Sequence, residues 1–159
     1  MRQLVHNVSI RVFEKDYNNL ENIQNIFNRL LPVDFKKEKV DIDHEEAEGF
    51  EEKTIHILSM ETEKRRHNRL LLRNLFQQMH DKDKSRVFDQ RRTRVDDEGN
   101  FYIRLDKQSL LDQKYVLTEG GDCFHFRIKI AAYPKNEDTI MDSIETLLSE
   151  HGCTSQNPT

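Results

Sequence analysis

In residues 123–130, CFHFRIKI, the apolar side chains Phe124, Phe126, Ile128 and Ile130 fall at every second position, with His125, Arg127 and Lys129 between them. Strand side chains alternate between the two faces of a sheet, so this pattern demands one buried face and one face left in water. EGNFYIRLDKQSLL, residues 98–111, repeats it: Phe101, Ile103 and Leu105 share one side, Tyr102 and Arg104 the other. Residues 4–13 do the same, with Leu4, Val8, Ile10 and Val12 against Asn7, Ser9 and Arg11. Strands that alternate this way belong to a mostly antiparallel sheet covered on a single face, because a sheet covered on both faces reads apolar throughout.

The covering layer is legible as helical spacing. Leu20, Ile23, Ile26, Phe27, Leu30 and Leu31 recur after Asp16, a capping residue, until Pro32 interrupts. Leu72, Leu75, Phe76 and Met79 stand at i, i+3, i+4 and i+7 and predict a helix over 62–80, with a shorter one over 85–92 through Val87 and Phe88. Ile140, Met141, Ile144, Leu147 and Leu148 predict a final helix after Pro134. Between these, Ile55 and Ile57 mark a strand leading into ILSM. Asp97, Glu98, Gly99 and Asn100 form a turn, and Asp106 can cap one helical turn at 109–111. Residues 36–53 break the pattern, with clustered charges around Gly49 and only VDID suggesting a short strand, and are expected to be a mobile connection. KYVLT and CFHFRIKIAAY are separated by EGGD, whose paired glycines permit positive φ and predict a hairpin. The expected architecture is α+β: a single mostly antiparallel sheet with helices packed on one face, in the order β-α-β-α-α-β-(short α)-β-β-α. It forms one domain over 1–151, followed by a flexible tail over 152–159.

Several chemistries are excluded by missing motifs. There is no GxxxxGK[ST], GxGxxG or GxSxG, and five glycines are few for a phosphate-cradling loop. DKDKSR at 81–86 imitates a calcium loop, but Arg86 stands where the sharp turn needs Gly and Arg92 where the bidentate Glu belongs. Asp41, Asp43 and His44 read as a solvated acidic stretch rather than a metal site. Cys123 and Cys153 lack CxxC spacing and read as a partly buried thiol and a tail thiol. No apolar run approaches the roughly 18 residues of a membrane span, and a cytoplasmic protein without cofactor, metal or catalytic activity is expected.

Charge carries the positive signal. The formal net charge is −4, yet residues 64–94 hold eleven Lys and Arg against three Asp, a local surplus of +8. Such segregation is an argument about partners. Arg66, Arg69 and Arg73 form one flank of the 62–80 helix, beside its apolar stripe. Arg104, Lys107, Arg127 and Lys129 occupy polar positions of the strand patterns, with Tyr102 and His125 among them. Cations meet phosphates and rings stack on bases, so a basic sheet face with interleaved rings fits single-stranded or looped RNA. The opposing reading pairs these cations with the acids of residues 38–52.

EGNFYIRLDKQ, followed by FRIKIAAYP, resembles the archaeal RNA-binding proteins of about this length often named predicted exosome subunits, and the likeness runs over most of the chain. It implies a fold similar to the ribosomal protein that holds the 5S RNA, and RNA binding or processing without catalysis. Arg104, Asp106, Lys107 and Gln108 carry the family string: Asp106 and Gln108 as structural residues, Arg104 and Lys107 as phosphate contacts. The chain departs from the family after Glu48-Gly49, where Phe50-Glu51-Glu52-Lys53 replace an aromatic or His followed by Gly and Asn. The function expected is a non-catalytic RNA-binding protein, an accessory of RNA processing, degradation or ribosome-related complexes. Its alternative is a protein-interaction subunit whose basic face docks on an acidic partner. A nuclease using Asp96, Asp97 and Glu98 is a third reading, though a turn explains those acids more simply.

Overall fold

A computed structural model describes residues 2–155. Val5–Glu14 form β1, whose alternation buries Val8, Ile10 and Val12 and leaves Arg11 and Phe13 outside. Asp16 caps a short 3-10 turn by accepting from the Asn18 amide, and this turn runs into α1, Leu20–Leu30. Then follow α2 (Phe35–Glu38), β2 (Ile42–Glu48), β3 (Thr54–Thr62), α3 (Arg65–Gln78) and α4 (Asp81–Asp89). The chain closes with β4 (Asn100–Asp106), α5 (Lys107–Leu111), β5 (Cys123–Ile130) and α6 (Glu137–Glu150). Asn136 and Thr139 cap α6 reciprocally, side chain to backbone in both directions.

The five strands form one antiparallel sheet in the order β2-β3-β1-β5-β4, with helices α1, α3 and α6 on the side of Val8 and Ile10. β1 is central: Val12 faces Leu58 on β3 and Phe124 on β5. Phe124 meets Phe27 of α1 edge-on, ring centres 6.1 Å apart. Burying a side chain of this size contributes about 1.5–3 kcal/mol, so the sheet-to-helix contact rather than local propensity holds each helix in place.

The α+β arrangement is as expected, but two segments differ. Residues 42–48 are not a loose connection; they form β2, a full edge strand paired with β3 from Ile42↔Met60 to Glu48↔Thr54. Its sequence hides this because both faces are largely in water, so no alternation is needed. KYVLT, in turn, makes no hairpin with β5, whose neighbours are β1 and β4. It runs beside the outer edge of β4, with the Asp106 amide bonded to Val116 O and the Thr118 amide to Arg104 O. Arg94 and Asp96 close the rest of that edge, since the Tyr102 amide donates to Arg94 O and the Asp96 amide to Asn100 O. Two short segments thereby satisfy the edge groups a lone strand would expose. Positive φ falls on Gly99 and Gly152, not on Gly120 or Gly121; Gly99, at +85°, is what lets the 96–100 turn close.

The tail also departs from expectation. Cys153 is fully buried against the core and its amide bonds Leu148 O at 2.8 Å, so the packed region runs past residue 151; residues 156–159 lie outside those described. The calcium-like run at 81–86 is helical, part of α4 capped by His80, and offers no loop. Among the described residues no helix is long and apolar enough to cross a membrane.

Candidate nucleic-acid interface

Cross-strand register writes the uncovered sheet face as rows. Arg11 stands opposite Ser59 on β3 and His125 on β5, and His125 opposite Arg104 on β4. One step along, Ser9 stands opposite Glu61 and Arg127, and Arg127 opposite Tyr102. The β1, β5 and β4 part of the face therefore gathers Arg11, Arg104 and Arg127 around Tyr102 and His125. On the β2 and β3 part lie Asp43, Glu45 and Glu61, so the face is basic at one end and acidic at the other.

The two rings are stacked, 5.3 Å between centres and 16° from parallel. Burial, with Arg104, Arg11 and Arg127 nearby, pushes the His125 imidazole below its ordinary pKa, so at neutral pH it offers a neutral ring for stacking rather than a charge. Tyr102 is pinned at its far end, where its hydroxyl donates to Asp96 at 2.8 Å. Asp96 also accepts from the amides of Glu98 and Asn100 and from the Asn100 side chain. Burial pushes this carboxyl up, but its hydrogen bonds outweigh burial and bring it down to about 2. Asp96 is thus the anchor of the turn and of the ring, already saturated with donors.

The three guanidiniums have no carboxylate partner among the described residues. Arg127 donates to Ser9 Oγ at 3.1 Å, Arg104 to Glu119 O at 3.3 Å, and Arg11 lies over the exposed Phe13 ring, 5.7 Å from its centre. Lys129 sits at the margin, donating to Glu98 O at 2.8 Å.

The other expected site residues are placed elsewhere. Lys107 is engaged within the protein: its ammonium reaches Phe13 O, Glu14 and Asp122 at 2.8–3.1 Å and its side chain is 12% exposed. Asp106 accepts from the Ser109 amide and hydroxyl and caps α5. Gln108 is exposed and its side chain bonds nothing among the described residues. Arg66, Arg69 and Arg73 are exposed on α3, in the helix layer, with the sheet between them and the Tyr102 face. Arg66 is paired with Glu38, one of the acids of the 38–52 stretch, while Arg69 and Arg73 make no ion pair among the described residues. The cations thus form two separate surfaces. Arg11 joins the sheet group through its register with His125; its place on the polar side of a strand is legible in sequence, its neighbours are not.

Comparison with known proteins bears on these surfaces. A family model described as RNA binding matches residues 7–130. RNA-binding protein PAB1135 of Pyrococcus abyssi is 28% identical over 143 residues, covering 90% of this chain and 93% of that protein. Two solved DUF54 proteins share the fold. Mth689 of Methanothermobacter thermautotrophicus has a TM-score of 0.73 at 24% identity, over 92% of this chain and 99% of its own. AF2318 of Archaeglobus fulgidus has a TM-score of 0.77 at 19% identity, over 90% and 99%.

Proposed function

Because the chain belongs to the RNA-binding family whose model spans residues 7–130, we propose that it holds unpaired RNA on the β1, β5 and β4 part of its open sheet face. The observation that carries this reading is the stacked Tyr102–His125 pair set among Arg11, Arg104 and Arg127, three guanidiniums with no carboxylate partner among the described residues. A base laid on the outer side of the ring pair gains about 1–3 kcal/mol, and the guanidiniums flanking the rings across and along the strands can meet its phosphates. Only bases free of a duplex can stack in this way, so loops and single strands are the substrates favoured. Lys129 extends the phosphate track, and the acids Asp43, Glu45 and Glu61 bound it on the other side. Arg69 and Arg73 offer a second, separate contact that only an RNA long enough to pass around the molecule would reach.

The reading needs no catalytic step: the protein is an accessory that binds RNA for other components of RNA processing. The test is fluorescence anisotropy with a single-stranded RNA, a stem-loop and matched DNA at two salt concentrations. The Arg104→Glu, Arg127→Glu double variant is expected to weaken RNA binding and to lower the salt slope by about 0.7 per lost phosphate contact. The Arg69→Glu, Arg73→Glu double variant is expected to leave short single strands unaffected. The reverse result would move the site to α3, and no RNA binding by folded protein would return the basic face to an acidic protein partner.

A further inference from the structure

β2 and β3 bring together three metal-ligating side chains that the RNA surface does not use. His44 and Glu46 stand two apart on β2 and so share a face, and Glu46 is in register with His56 of β3. They lie on the face opposite Asp43 and Glu45. His44 Nε2 is 2.9 Å from His56 Nδ1, and Glu46 Oε1 is 3.8 Å from the same Nδ1. One ligand atom from each residue falls within 4.8 Å of the other two.

We propose that His44, Glu46 and His56 form a site for a divalent transition ion of the zinc type. Two imidazoles and a carboxylate are a donor set that suits Zn2+, Co2+ or Ni2+ and not Mg2+ or Ca2+, which take oxygen shells. Tetrahedral bonds of about 2.0–2.2 Å hold ligand atoms roughly 3.4 Å apart, so the histidine contact opens slightly and the carboxylate closes slightly around the ion. His56 is 5% exposed, packed edge-on against Tyr17, whereas His44 and Glu46 face water. The buried ligand is thus fixed by its surroundings, and the two outer ones leave an entry and a fourth position for water. Residues 41–48 contain five Asp and Glu and no Lys or Arg, which draws a cation to this edge. Sequence alone pairs His44 with Asp41 and Asp43. The strand sends Asp43 to the other face, and the true partner is twelve residues away on β3. Bound there, the ion would brace the edge strand against its neighbour and bind folded protein only.

The test is calorimetric titration of Zn2+ into untagged, chelator-stripped protein, with Co2+ absorption as a second readout. One ion per chain, an intense tetrahedral Co2+ spectrum and a zinc-dependent rise in Tm are expected. His44→Ala changes an exposed side chain and leaves the fold intact by circular dichroism; it should weaken binding by about 100-fold or more, and Glu46→Gln by at least tenfold. No binding by the parent protein, an octahedral Co2+ spectrum, or unchanged binding in His44→Ala would overturn the assignment. Because RNA binding is measured on the opposite face of the sheet, its presence or absence leaves this outcome unaffected.

Discussion

Replacing Lys107 with Met preserves the aliphatic stem and deletes the ammonium held by Phe13 O, Glu14 and Asp122. Asp122, 75% exposed at its side chain, simply rehydrates. Glu14 cannot: its side chain is 6% exposed, and only the Asn19 amide group and the Lys15 backbone amide continue to donate to it. Removing one partner of a buried pair costs about 3–5 kcal/mol, chiefly because the other charge stays desolvated. The two surviving donors put the expected loss near the lower end, about 3 kcal/mol, or roughly 6–12 °C in Tm for a chain of this size.

The pH dependence gives the argument a sign. Burial raises the Glu14 carboxyl, yet its bonds to Asn19, Lys107 and Lys15 outweigh that and leave it below its ordinary value. The stability it lends is present above its unfolded pKa and is lost as pH falls through the depressed one. Lys107 is raised, burial being outweighed by Asp122 and Glu14, so its share is present below its unfolded pKa and is lost as pH rises through the raised one. Without Lys107 the Glu14 carboxyl loses two of the contributions that hold it down and moves upward, so the gap between variant and parent should narrow as pH falls into the carboxylate range. Urea unfolding of parent, Lys107→Met, Glu14→Gln and the double variant measures both the loss and the coupling. A loss below about 1 kcal/mol together with a lowered RNA salt slope would make Lys107 a phosphate ligand rather than a partner of Glu14.

Asp96→Asn should cost about 1–3 kcal/mol by weakening the bonds to Tyr102 and Asn100. Because the native carboxyl lies at about 2, that gap should hold at pH 5 and narrow progressively as pH falls from the ordinary aspartate value of 3.8 towards about 2; closure already at pH 5 in acid-urea titrations would contradict the assignment. Tyr102→Ala should weaken single-stranded RNA by about 1–3 kcal/mol in anisotropy, while Tyr102→Phe, which keeps the ring, should lose far less; equal losses would remove stacking from the account. Burial pushes the Cys153 thiol up to about 12, so a thiol reagent should modify it only in step with unfolding, and rapid labelling of native protein would show the C-terminal segment open.

The strands that anchor the core were legible because each has one wet and one dry face, and β1, β4 and β5 state this plainly in alternating Val, Ile and Phe. β2 was not, because IDHEEAE is wet on both faces and its pairing comes from backbone groups alone. The glycines of EGGD made KYVLT look like the first arm of a hairpin with β5, yet it makes only a single bridge, Leu105↔Leu117, beside β4. For the surface, alternation correctly sent Arg104, Arg127 and Lys129 outward. It could not show that α3 lies behind the sheet, nor that Glu14, 93 residues before Lys107, occupies its ammonium. Contacts of that range depend on the sheet order, which no local pattern records.

That order also dictates when the protein can fold. β1 is the middle strand, and the residues that complete its second side lie more than a hundred positions later, as in Ser9 and Arg127, 118 residues apart. During synthesis the central strand therefore emerges early and waits with one unpaired edge until β5 leaves the ribosome. A nascent chain stopped after α4 can form the β1–β3 and β2–β3 pairs but lacks Phe124, Phe126 and Ile128, and with them half of the platform on which the helices rest. Such long-range closure slows folding and leaves the incomplete chain with exposed apolar surface and an open strand edge.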